Sequence, residues 1–138
     1  AKDVPIKPET ISVLREGMFR NVFSKNGTGK RARSKIVNIA GKTGTTQVIS
    51  NKTKERLKKE HGEVPDKYLN HAWFVSYAPA ESPMVTTVVM VEHGRAGRNA
   101  AQLSKEIIEY YFTHIENAPE PMKIPDQEIL YQSESDSA

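Results

Sequence analysis

No cysteine occurs in the chain, so a disulfide framework, a thiolate zinc site and thiol catalysis are excluded, while cytoplasm and periplasm both stay open. Long hydrophobic runs are absent too. The longest, Met84 to Val91, includes two threonines and falls far short of the roughly 20 apolar residues that a membrane helix needs. No signal-like segment follows Ala1, and read alone the chain is expected to be soluble. A large charge of one sign is also lacking, since 20 Lys and Arg stand against 17 Asp and Glu. That balance gives no overall argument for a polyanionic partner.

What charge there is lies unevenly. Lys25, Lys30, Arg31, Arg33 and Lys35 fall in one stretch without an acid, whereas the segment from Glu116 onward carries six acids against Lys123 alone. The 138 residues leave room for one core and little more. Residues 119–138 hold three prolines and a Ser/Glu/Asp-rich end, and are expected to form a largely disordered tail.

Apolar periodicity predicts the elements. Ile11, Leu14, Met18 and Val22 recur at spacings of three and four behind Pro8, which predicts a helix from about Pro8 to Phe23. Gly17 inside it suggests a close packing contact. Asn26, Gly27 and Gly29 make Ser24 to Ser34 a loop. Ile36 to Ile39 and Thr45 to Ile49 are β-branched stretches that Gly41 and Gly44 interrupt. Ser50 to Asn70 is a polar, lysine-rich insertion with a short helix around Lys54 to His61. His71 to Ala78 and Met84 to Glu92 read as an antiparallel hairpin around two prolines. Ala100, Leu103, Ile107, Tyr110, Tyr111 and His114 outline a closing helix. The result is an α+β unit in which an N-terminal and a C-terminal helix flank an antiparallel sheet of about three strands.

Chemistry concentrates in Ala40-Gly41-Lys42-Thr43-Gly44-Thr45-Thr46-Gln47. A phosphate-binding loop would need glycine five positions ahead of Gly41, where Ile36 stands. The second glycine-lysine pair, Gly29-Lys30, has Ser24 in place of that glycine and Arg31 in place of Ser or Thr. Nucleotide binding therefore fails twice. A lysine-threonine-glycine strand at the rim of an acyl-transfer site is the other option. His61, His71, His93 and His114 have no partners at ligand spacing, so neither metal nor cofactor is expected. Trp73, Val75 and Tyr77 alternate with Phe74 and Ser76, which is ordinary sheet patterning, with the aromatics read as core. The basic loop lacks interleaved aromatics, so nucleic acid is not an expected partner.

Further strings stand in a telling order around that strand. Glu16-Gly17-Met18-Phe19-Arg20-Asn21-Val22 and Gly27-Thr28-Gly29 precede it; His71-Ala72-Trp73-Phe74-Val75-Ser76-Tyr77-Ala78-Pro79 and Glu92-His93-Gly94-Arg95-Ala96-Gly97 follow. From about Pro8 to Ile115 the sequence resembles class B penicillin-binding proteins, most closely their elongation-type group. The resemblance implies a partial transpeptidase fold of the penicillin-binding and β-lactamase kind, with 1–118 as its C-terminal part. It implies peptidoglycan D,D-transpeptidase activity for the parent protein, through an acyl-enzyme on serine. Lys42 would face the substrate carboxylate, and the hydroxyls of Thr43 and Thr45 would help hold it. Gly44 would leave room for the acyl chain, Thr46 would continue the substrate rim, and the Thr45 amide would donate to the oxyanion.

The family's serine-x-x-lysine nucleophile is missing, because no serine here has lysine three positions on: Ser12 is followed by Arg15 and Ser104 by Ile107. Ser24-Lys25-Asn26 matches the family's serine-x-asparagine element in form, but follows a helix that should come after it, and is read as coincidence. The chain is thus expected to begin downstream of both motifs and to be inactive alone. Stem peptides, β-lactams and membrane proteins of cell elongation are the partners implied for the parent, at the periplasmic face of the bacterial inner membrane. The strand Met84 to Glu92 would lack an upstream neighbour here, which invites self-association at a sheet edge. A different class of function, a non-catalytic module using the Lys25 to Lys35 loop on anionic surfaces, is the alternative.

Overall fold

Residues 5–115 are described by a computed structural model, so the expected tail at 119–138 lies outside the described residues. Helix α1 spans Pro8–Phe23, with Pro8 in the first turn and Glu9 near the positive end of the helix dipole. Its last turn delivers Val22 and Phe23 to the core. Strand β1 (Ala40–Thr46) follows a loop, then helix α2 (Asn51–His61), strands β2 (His71–Ala78) and β3 (Val85–Val91), and helix α3 (Gly97–His114). The sheet runs β1-β2-β3, antiparallel throughout. Lys42 pairs with Val75 and Gly44 with Trp73.

The period of two sorts the sheet into faces. Ala72, Phe74, Ser76 and Ala78 are fully buried beneath α3, with Ala100, Ala101 and Ile108 of α3 over them. Burying a side chain of the size of Phe74 or Ile108 contributes roughly 1.5 to 3 kcal/mol. Trp73, Val75 and Tyr77 take the opposite, partly open face, where Val75 and Val88 are exposed. The two-faced pattern predicted for β2 therefore holds, but Phe74 is the core aromatic; Trp73 and Tyr77 are only half-buried.

Two expectations, at Gly17 and at the insertion helix, need correction, whereas the expected strand through Lys42 holds: β1 pairs antiparallel with β2 and runs through both glycines, between the β-branched stretches 36–39 and 45–49. Val37 and Ile39 are buried, but the Ser34 hydroxyl accepts the Ile36 and Val37 amides, which bends the approach. The partner strand ends at Ala78, before Pro79, so the regular ladder starts at Ala40, and past it the Ala80 amide donates to the Asn38 carbonyl at 2.8 Å. Gly17 has no packing contact: a Cβ there would meet nothing within 4 Å. The insertion helix starts three residues early, because the Ser50 hydroxyl accepts the Thr53 amide at 3.2 Å as an N-cap. Gly62, at φ 79°, ends it in the left-handed conformation.

Candidate active site

β1 is an outer strand, with β2 on one side, and α1 packs against it, its last turns reaching Gly41 at the start of the strand. The Asn21 side-chain amide of α1 donates to the Gly41 carbonyl at 2.8 Å, so Gly41 turns its backbone groups away from β2. Backbone direction alternates along an antiparallel strand. The amides and carbonyls of Thr43 and Thr45 therefore point off the same free edge. Lys42 folds its ammonium over that edge onto the Thr43 carbonyl, at 3.0 Å.

Side chains divide by the same alternation. Lys42, Gly44 and Thr46 lie on the face of Trp73, Val75 and Tyr77, opposite Val75, Trp73 and His71 respectively. Gly41, Thr43 and Thr45 lie on the α3 face, opposite Ser76, Phe74 and Ala72. Thr45 and Thr46 are exposed, and the Thr45 hydroxyl makes no hydrogen bond to another described residue. Thr43 is half-buried, 2.7 Å from the Thr28 hydroxyl. An open pocket of about 450 Å³ borders this edge, lined by Thr28, Thr43, Thr45 and the cations Lys30, Arg31 and Arg98.

Close packing fixes the strand. A Cβ on Gly97, at the start of α3, would lie 2.8 Å from both the Thr43 Cβ and the Gly44 carbonyl, so α3 seats directly on β1. The turn before it holds His93 and Arg95 at positive φ, 53° and 68°. It is pinned by the His93 amide donating to His71 Nδ1 at 3.0 Å and the Arg95 amide to the Asn70 carbonyl at 2.9 Å. His71 thus has a structural role as a hydrogen-bond acceptor. Among the described residues no group of three His, Cys, Asp or Glu could hold a metal ion.

The basic loop is partly structural. Arg33 donates to the carbonyls of Val22, Phe23 and Ser24 at 2.8–3.2 Å and so satisfies the end of α1. Arg31 donates to Asn99 at 2.8 Å. Two of the cations behind the binding-module alternative are therefore committed to the fold.

Residues 1–109 match the penicillin binding protein transpeptidase domain. The chain belongs to that family. It is 36% identical over 116 residues to the peptidoglycan D,D-transpeptidase MrdA of Haemophilus influenzae, covering 83% of this chain and 18% of that protein. It is 39% identical over 98 residues to MrdA of Acinetobacter baumannii, covering 71% of this chain and 14% of that protein. The structure of Pseudomonas aeruginosa PBP2 in complex with WCK 5153 superposes with a TM-score of 0.62 at 28% identity, over 89% of this chain and 23% of that one. The complex of PBP2 and MreC from Helicobacter pylori gives 0.60 at 28% identity, over 78% and 18%. The chain thus spans less than a fifth of the curated relatives' length, and it is a partial transpeptidase domain of α+β fold. No helix among the described residues is long and apolar enough to cross a membrane.

Asn21, Thr28 and Gly97 hold the site residues in place, and sequence reasoning did not single them out. Each sits inside one of the ordered strings that carried the resemblance. Their contacts to β1 are tertiary, at separations of 15 residues and more, and no local pattern encodes them.

Proposed function

We propose that this segment forms the β1 wall of the acyl-transfer site of a peptidoglycan D,D-transpeptidase that cross-links stem peptides through a serine supplied outside the chain. The free edge from Lys42 to Thr46 carries the reading. An extended acyl donor adds to it as a further strand, with Gly44 leaving space along the main chain. Lys42 is the cation toward the serine and the substrate carboxylate. Thr43, Thr45 and Thr46 form the hydroxyl rim, and the Thr45 amide donates to the oxyanion, a class of contact that lowers a barrier by about 3 to 4 kcal/mol.

The whole protein, on this reading, takes stem peptides and β-lactams and works with cell-elongation proteins at the periplasmic face of the inner membrane. The relation to PBP2 solved with MreC supports such a partner. Isolated, the chain self-associates through the outer strand β3, whose Val88 and Met90 are exposed. Sedimentation showing a monomer at every concentration would remove that part of the proposal.

Acylation tests the main claim. In the intact transpeptidase carrying this segment, Lys42→Ala should slow labelling by a fluorescent penicillin strongly. A variant labelled at the wild-type rate would contradict the site.

A further inference from the structure

Helix α2 is the element that packing does not account for. It buries no residue and makes no substantial contact with another helix or with the sheet. Leu57 is its only apolar side chain, and a helix of 11 residues with a polar surface all round is marginal in water. Its caps at Ser50 and Gly62 hold it, together with the ion pair of Arg56 and Glu60 at 3.8 Å. Five cations, Lys52, Lys54, Arg56, Lys58 and Lys59, stand there against Glu55 and Glu60. Lys54 turns inward and donates to the Asn70 side chain. Lys52, Arg56 and Lys59 follow one another at spacings of four and three, so they share an exposed face, around an open hollow of about 440 Å³. Glu55 borders the same hollow, so three cations face one acid. Among the described residues neither Lys52 nor Lys59 has an ion-pair partner.

Place decides what this face meets. Gln47, one residue past β1, donates through its Nε2 to Asn51 Oδ1 at 2.8 Å, so the first residue of α2 sits at the end of the free edge. On the acyl-transfer reading the carboxylate of the acyl donor lies at Lys42 and Thr43, and its reacting carbonyl lies at the Thr45 amide. The donor then runs antiparallel to β1, and the residues upstream of the transferred one pass Thr46 and Gln47 toward α2. Two residues of extended peptide span about 7 Å, the length of strand between Thr45 and Gln47.

We infer that α2 is a specificity element whose face of Lys52, Arg56 and Lys59 recognises carboxylates in the two residues upstream of the one that is transferred. The inference rests on the acyl-transfer reading above and names the class of donor it takes, an acidic peptide. A lipid surface fits α2 less well, since only Leu57 could enter the headgroup region, and Leu57 is half-buried on the inner side with Lys54. Exposed charge pairs are weak one by one and are screened by salt, so the three cations act together and select among donors without setting the basal rate.

The experiment measures acylation of the intact transpeptidase carrying this segment by two thioester peptides that differ only in glutamate or glutamine at the two upstream positions. The wild type should prefer the glutamate donor about 3- to 30-fold at low ionic strength, the sum of three exposed pairs. Salt at about 0.5 M should remove most of that preference. Lys52→Gln, Arg56→Gln and Lys59→Gln together should erase it while the glutamine donor reacts at the wild-type rate. The corresponding triple change to glutamate should favour a donor with lysine at the upstream positions, a reversal that altered helix stability would not produce. A wild type without preference overturns the inference, and so does a triple glutamine variant that keeps it. If that variant keeps the donor preference but loses binding to phosphatidylglycerol vesicles, α2 serves a lipid surface instead. Lys42→Ala separates the levels: an unchanged rate with the glutamine donor there removes the acyl-transfer reading itself, whatever α2 does.

Discussion

The ring of Phe74 fills the space that a side chain at position 41 would occupy: a Cβ built on Gly41 lies 2.4 Å from Phe74 Cζ. Position 41 is thus small because of its neighbour across the sheet, on a fully buried face where the ring cannot swing clear. Gly41→Ala should destabilise the fold by about 1 to 3 kcal/mol through overpacking. Urea unfolding of the variant, compared with Gly17→Ala, checks this. Position 17 is open, so alanine there should leave stability equal or raise it by up to about 1 kcal/mol.

A closed ring of hydroxyls fixes α3 to the sheet. Ser76, Thr87 and Ser104 lie 2.6–2.8 Å apart pairwise, and three protons suffice for three bonds if each hydroxyl donates once and accepts once. Ser104→Ala opens the ring and removes two of its bonds at a buried site. A loss of about 1 to 3 kcal/mol is expected. An unchanged denaturation midpoint would show that the ring contributes nothing net.

The order of elements was legible because amphipathic spacing and turn residues are local signals. Ile11 to Val22, the hairpin about Pro79 and Pro83, and the stretch ending at His114 all carry their own periodicity. The exact span of β1 was less legible, for the opposite reason. Its glycines answer to Phe74 and Trp73 on the neighbouring strand, and a sequence window shows only that they are poor strand formers. Lys42 to Thr46 could be found as a motif, whereas the hydroxyl chain from Thr43 through Thr28 to Asn21 arises from a loop returning over the strand edge and has no sequence signature of its own.

Tyr77 gives the fold an alkaline limit. Burial raises its pKa above 10.0, with the Arg15 cation opposing and the Glu81 carboxylate adding to the shift. A raised folded-state value means that the folded chain holds the proton more tightly. Its contribution is fully present below about pH 10 and is lost as pH rises through the folded pKa. The difference in melting temperature between wild type and Tyr77→Phe should therefore be flat to about pH 10 and shrink above it. A difference constant to pH 12 would exclude the linkage.

Covalent chemistry gives the last test. Lys42 and the Thr45 amide can orient a carboxylate and polarise a carbonyl, but acyl transfer also needs an activated hydroxyl. No serine of the 138 residues has a lysine three positions on. The buried hydroxyls of Ser76 and Ser104 bond to each other and to Thr87, and neither is hydrogen-bonded to a basic side chain among the described residues. Incubated with a fluorescent penicillin, the chain should therefore show no band on denaturing electrophoresis and no added mass, and Lys42→Ala should change neither result. Binding without reaction would be reversible and lost on denaturation. A stoichiometric adduct that survives denaturation would mean that a residue within this chain acts as nucleophile, and peptide mapping of the modified site would then have to replace the division of labour argued for Lys42, Thr43 and Thr45.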